Sequence, residues 1–174
     1  MNEPAYYDRP LLKRPHWEWN VVTYLFLGGV MGGSGMLTAI AQRSGDEPLA
    51  RSSRYLSFAL AAACPPILIS HLGRPERFLH MLRVVKFKSP MSMGVWGLVG
   101  FSGVAALTAG AQLSRDGKVP EWLRRLESKP IAAMAQAFLG AFIAGYTGVL
   151  LAATAIPVWA KGKAHIPAMC VCSA

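Results

Sequence analysis

Four stretches of the chain carry no Asp, Glu, Lys or Arg: 19–41, 55–72, 91–113 and 131–159. Short polar or basic segments separate them. At about 1.5 Å per residue, even the shortest stretch reaches roughly 27 Å as a helix, close to the roughly 30 Å hydrocarbon core of a bilayer. No alternation of apolar and polar positions in ten-residue blocks accompanies these runs. That argues against a closed β-barrel, the other fold that satisfies its backbone polar groups in lipid. The pattern predicts an all-α membrane protein, a four-transmembrane-helix bundle spanning 19–159.

The punctuation between the runs organises the rest. Residues 1–18 form a polar arm ending in His16-Trp17-Glu18-Trp19, whose indoles suit the membrane-water boundary. The first run is too long for a signal-peptide core and lacks a small-x-small cleavage site after it, so it is expected to be retained. Its Gly28, Gly29, Gly32, Gly33 and Gly35 include two Gly-x-x-x-Gly spacings, which let another helix approach closely. Residues 42–54 read as the first connection, and Pro65-Pro66 should kink the second helix. The segment 73–90 reads as interfacial, because Phe78, Leu79, Leu82 and Val85 recur at helical spacing among basic residues. Ser89-Pro90 and Ser92 are start signals for the third helix. The fourth run exceeds one perpendicular crossing, which implies tilt or a break near Pro157. Residues 160–174 turn apolar again and read as the start of a truncated fifth helix.

Composition sharpens this picture. With 53% hydrophobic residues and a mean hydropathy of +0.32, the chain is more apolar than a soluble domain of its size. Its net charge of +9 is divided among the short polar segments, so lipid headgroups and partner proteins are expected neighbours and nucleic acid is not. Lys and Arg counts on the two sides are too similar to fix orientation. Three cysteines are too few for a cysteine-ligated iron-sulfur cluster, and no metal site is expected. Nucleotide-loop, nucleophile-elbow and metalloprotease motifs are missing from the sequence, so no terminal catalytic site is expected in it.

Polar side chains at bilayer depth are costly unless paired, hydrated or useful. Along an up-and-down path, Tyr24, His71 and Tyr146 fall in the same half of the membrane, with Asn20 one turn before Tyr24. Two phenols, an imidazole and an amide suit a quinone headgroup, whose oxygens need hydrogen-bond partners. Each also has a plainer role: Tyr24 as an interfacial anchor, His71 as a helix-end hydrogen bonder, Asn20 as a cap. A haem-bearing cytochrome b subunit normally needs paired axial ligands. Among His16, His71, His80 and His165, only His71 lies in a predicted span. A transporter module would be expected to carry a midplane charge, and the four runs contain none.

Several patches, taken in order, resemble the NrfD/polysulfide reductase membrane-subunit family. They are Trp17-x-Trp19 with Tyr24-Leu25-Phe26-Leu27-Gly28-Gly29, then Leu72-Gly73-Arg74-Pro75-Glu76-Arg77-Phe78, then Ser89-Pro90-Met91-Ser92-x-Gly94-x-Trp96, and Gly145-Tyr146-Thr147-Gly148 with Pro157-x-Trp159. The resemblance implies a haem-free membrane anchor that exchanges electrons and protons between menaquinone or ubiquinone and an iron-sulfur, ferredoxin-like partner subunit. A molybdopterin or multihaem subunit would then carry the terminal reaction, and the bacterial cytoplasmic membrane would be the location. By this resemblance Tyr146 matches a family tyrosine at the quinone, Tyr24 takes the corresponding first-helix position, and His71 stands where many relatives carry aspartate. Arg74, Arg77, Arg83, Lys86 and Lys88 would dock the iron-sulfur partner, or meet anionic headgroups. Family members usually have eight or more spans, so the chain looks like an N-terminal half. The competing expectation is a structural anchor without redox function.

Overall fold

The computed structural model describes residues 19–71, 82, 83, 85, 86, 89–117, 130–153, 159 and 161–174, with the backbone alone for His71 and Pro130. Five helices lie within them: α1 (Trp19–Ser44), α2 (Glu47–His71), α3 (Pro90–Arg115), α4 (Pro130–Ala152) and α5 (Ile166–Cys172). Among the described residues there is no strand. The polar arm 1–18 and residues 72–81, with Arg74 and Arg77, lie outside the described residues.

The polar segment after α1 is almost entirely helical rather than a connection over 42–54. Gly45 adopts φ 74°, and the Asp46 N–H donates back to the Ala41 carbonyl at 3.0 Å, the six-to-one bond of a glycine-terminated helix end. The Asp46 side chain then accepts from the Leu49 N–H at 3.1 Å, capping the start of α2. One two-residue hinge thus ends one helix and starts the next. Charge-free windows locate the parts of a helix suited to lipid. They do not locate its ends, because Arg43, Glu47 and Arg51 extend into water without breaking the backbone ladder.

Among the described residues three helices are long and apolar enough to cross a membrane: α1, α3 and the Ile131–Ala152 part of α4. Four such helices are expected from the sequence. α2 has the length, but Tyr55, its serines, Pro65-Pro66 and His71 dilute its apolar run. α4 ends at Ala152, earlier than residue 159. Ser89 and Pro90 do open α3, with Ser89 extended at φ −103° and Pro90 in the first turn, where its missing N–H costs nothing.

The four long helices pack antiparallel in a closed ring, α1 against α2 and α4, α3 against α2 and α4, and α5 lies against α4. The glycine content of α1 is used at Gly32 and Gly35. A methyl at Gly32 would overlap the Gly140 carbonyl of α4, and one at Gly35 would come within 2.8 Å of the Phe101 ring of α3. The core gathers Leu25, Met31, Ala61, Cys64, Leu98, Phe101, Ala105 and Ile143.

Candidate functional site

The antiparallel ring puts the first turns of α1 and α3 at the same end as the last turns of α2 and α4. Tyr24 and Tyr146 both lie in the half of the bundle towards this end. Tyr24 is buried in the core beside Leu25 and Cys64, and its phenol lies within electrostatic range of Tyr146 and Cys64. The Tyr146 ring, also buried, sits directly on the backbone of Gly94 in α3, where an added methyl would overlap its ring and hydroxyl.

Tyr146 opens onto a cavity of about 470 Å³ between α3, α4 and α5. Its walls are Pro90 and Met93 from α3, Ala141, Phe142, Gly145 and Val149 from α4, and Pro167, Ala168 and Val171 from α5. Among these ten lining residues Tyr146 alone brings a hydroxyl. An apolar chamber with one directed polar group suits a flat, mostly apolar ligand with an acceptor oxygen. α5 belongs to the site because Gly148 and Gly145 of α4 leave room for Pro167 and Val171.

The other sequence-predicted residues are placed less uniformly. Tyr24 is buried and does not line the cavity. Asn20 is half-buried, its Oδ1 enclosed and without a hydrogen-bond partner, and it too is absent from the lining. His71 ends α2 at the same end of the bundle; its side chain lies outside the described residues. Arg83 and Lys86 are exposed, while Arg74, Arg77 and Lys88 lie outside the described residues. Met93, Phe142, Pro167 and Val171 are not identified by reading polar residues alone, because their contribution is shape.

At the opposite end a second polar group joins all four long helices. Arg54, 1% exposed, donates to Gln112 Oε1 and lies 3.9 Å from Glu47. Buried Gln136 donates to Ser57 at 2.9 Å and accepts from Thr108 at 2.9 Å, while Thr38 donates to Ser53 at 3.0 Å. Asp116 accepts from Tyr55 at 2.6 Å and from Arg51 at 2.9 Å. The Tyr55 hydroxyl, followed by Gln112 and Arg51, holds the Asp116 carboxyl below its ordinary value. Arginine and glutamine are poor proton relays, so this group reads as a clasp between helices.

Comparison with known proteins agrees with a membrane-subunit reading. The family model described as polysulphide reductase, NrfD, matches residues 11–174. Protein NrfD of Escherichia coli K12 is 32% identical over 85 residues, covering 45% of this chain and 27% of that protein. The Protein NrfD homolog of Haemophilus influenzae is 31% identical over 103 residues, covering 49% of this chain and 32% of that protein. The chain therefore spans about a third or less of these relatives' length. No solved structure matches it. With a family match running through the whole helical bundle, the chain belongs to the polysulphide reductase, NrfD, family.

Proposed function

We propose that the protein is a haem-free, quinone-reactive membrane-anchor subunit of a respiratory oxidoreductase complex in the bacterial cytoplasmic membrane, with α2 crossing the bilayer alongside the other three long helices. Its partners are an iron-sulfur subunit, docked at the basic residues Arg74, Arg77, Arg83, Lys86 and Lys88 that follow α2 in the sequence, and a catalytic molybdopterin or multihaem subunit. One observation carries the reading: buried Tyr146 is the one hydroxyl-bearing residue among those lining an otherwise apolar cavity of about 470 Å³, large enough for a quinone ring and the first part of its tail.

A bound menaquinone or ubiquinone supplies two-electron chemistry coupled to protons. The chain's residues do the holding. Tyr146 Oη donates a hydrogen bond to a headgroup oxygen, and Met93, Phe142 and Val171 exclude water from the ring faces. Low local dielectric strengthens that single hydrogen bond. Tyr24 lies in the same half of the bundle, and His71 and Asn20 sit towards the same surface, where protons enter or leave.

Binding of a fluorescent quinone analogue to the protein in lipid nanodiscs tests this. Tyr146→Phe removes one hydrogen bond and is expected to weaken binding about tenfold, for roughly 1.4 kcal/mol. Unchanged affinity, or no saturable binding by folded wild-type protein, overturns the proposal and favours a purely structural anchor.

A further inference from the structure

The cavity walls are held by glycines on the neighbouring helix. Gly94, Gly97 and Gly100 recur every third residue along α3. Opposite them, in antiparallel register on α4, stand Tyr146, Phe142 and Leu139. A methyl at Gly94 would overlap the Tyr146 ring and hydroxyl, and one at Gly97 would overlap the Phe142 ring. A methyl at Gly100 would meet Leu139 only at 3.8 Å, ordinary contact, and at Gly103 nothing lies within 4 Å. Contact is therefore tight only at the two glycines that face cavity-lining rings.

Glycine in a helix interior destabilises the helix relative to alanine. Here it gives each ring a seat flush with the α3 backbone. Burial alone does not need this, since the same rings could pack against alanine with the helices slightly further apart. The flush seat fixes how far the phenol of Tyr146 projects into the cavity and sets the plane of Phe142.

We propose that Gly94 and Gly97 are positioning residues of the quinone site: the missing side chain at 94 sets the reach of the Tyr146 hydroxyl, and that at 97 sets the wall formed by Phe142. This rests on the quinone reading above. Neither glycine touches the ligand; each acts through the ring it seats.

The test measures analogue affinity in nanodiscs for Gly94→Ala, Gly97→Ala and Gly103→Ala, each alone and in the Tyr146→Phe background. Gly94→Ala is expected to weaken binding about tenfold and Gly103→Ala to leave it within twofold. In the Tyr146→Phe background the further loss from Gly94→Ala should shrink below threefold, because the hydroxyl it misplaces is already gone, whereas Gly97→Ala should keep its full effect. For Gly94 a merely structural role would give the same loss in both backgrounds, and that result, or wild-type affinity in Gly94→Ala or Gly97→Ala, overturns the proposal. Should Gly94→Ala fail to fold, solid-state NMR on wild-type protein decides instead: a contact between Gly94 Cα and the Tyr146 ring that persists while saturating analogue shifts the ring signals supports it, and its absence overturns it. Failure of the wild type to bind any analogue with that contact intact removes the quinone reading and leaves the seating geometry standing.

Discussion

Arg54 holds a full charge inside the bundle, about 10 Å along α2 from its first residue at 1.5 Å per residue. Its guanidinium donates to Gln112, with Glu47 at 3.9 Å. Removing the acceptor of a buried hydrogen bond from a charged donor costs about 1.5–3 kcal/mol. Gln112→Leu should fall at the upper end, about 3 kcal/mol, because the bond from Gln112 to Asp116 at 3.3 Å is lost as well. Gln136, fully buried, supplies the contrast, since its hydrogen bonds to Ser57 and Thr108 join neutral groups. Such bonds between membrane helices average about 0.6 kcal/mol, so Gln136→Leu should cost about 1 kcal/mol. At about 2–4 °C per kcal/mol for a chain of this size, the melting temperature falls about 10 °C in the first variant and about 3 °C in the second. Adding Arg54→Met to Gln112→Leu removes the buried charge itself and should recover most of the loss. Thermal melting in detergent, followed by circular dichroism, reads all three. Equal losses in the two glutamine variants, or a double variant as unstable as Gln112→Leu, would refute the reasoning.

Further outcomes follow from the same geometry. Gly32→Ala, which drives a methyl into the Gly140 carbonyl, should destabilise the α1–α4 crossing by about 1–3 kcal/mol; Gly29→Ala, with nothing within 4 Å, should be neutral or gain up to about 1 kcal/mol in helix propensity. A loss at Gly29 equal to that at Gly32 would contradict the placement. Because Asp116 titrates below its ordinary value of 3.8 when folded, its contribution is complete above that value and fades as pH drops through the lower folded value. Asp116→Asn should therefore flatten the acid limb of melting temperature against pH below about pH 4 and reduce stability at neutral pH. An unaltered acid limb would show that the Tyr55–Asp116–Arg51 group does not act as described.

Much of the helical framework could be read from hydrophobic runs and from Ser89-Pro90, since those signals are local. The α1–α2 hinge could not, because polar residues read as loop whether they face water or cap a helix. Arg54 is hidden for the same reason: within the expected connection over 42–54, a basic residue reads as solvated, and only the antiparallel placement of Gln112 shows it to be enclosed. Tyr24 and Tyr146 could be paired by counting along an up-and-down path. The cavity wall beside Tyr146 could not, because Met93, Phe142 and Val171 act through shape. The threefold spacing of Gly94, Gly97, Gly100 and Gly103 was visible in the sequence, but which of them seat a ring depends on where α4 faces α3.

Photoaffinity labelling with an azidoquinone in native-like membranes tests the central claim most directly, with the modified residues mapped by mass spectrometry. Saturable labelling should concentrate on 90–93, 141–149 and 167–171, compete with unlabelled quinone, and fall sharply in Tyr146→Phe. Labelling confined to the outer face of α1, around Trp19 and Phe26, or labelling that no competitor reduces, would contradict a quinone site at Tyr146.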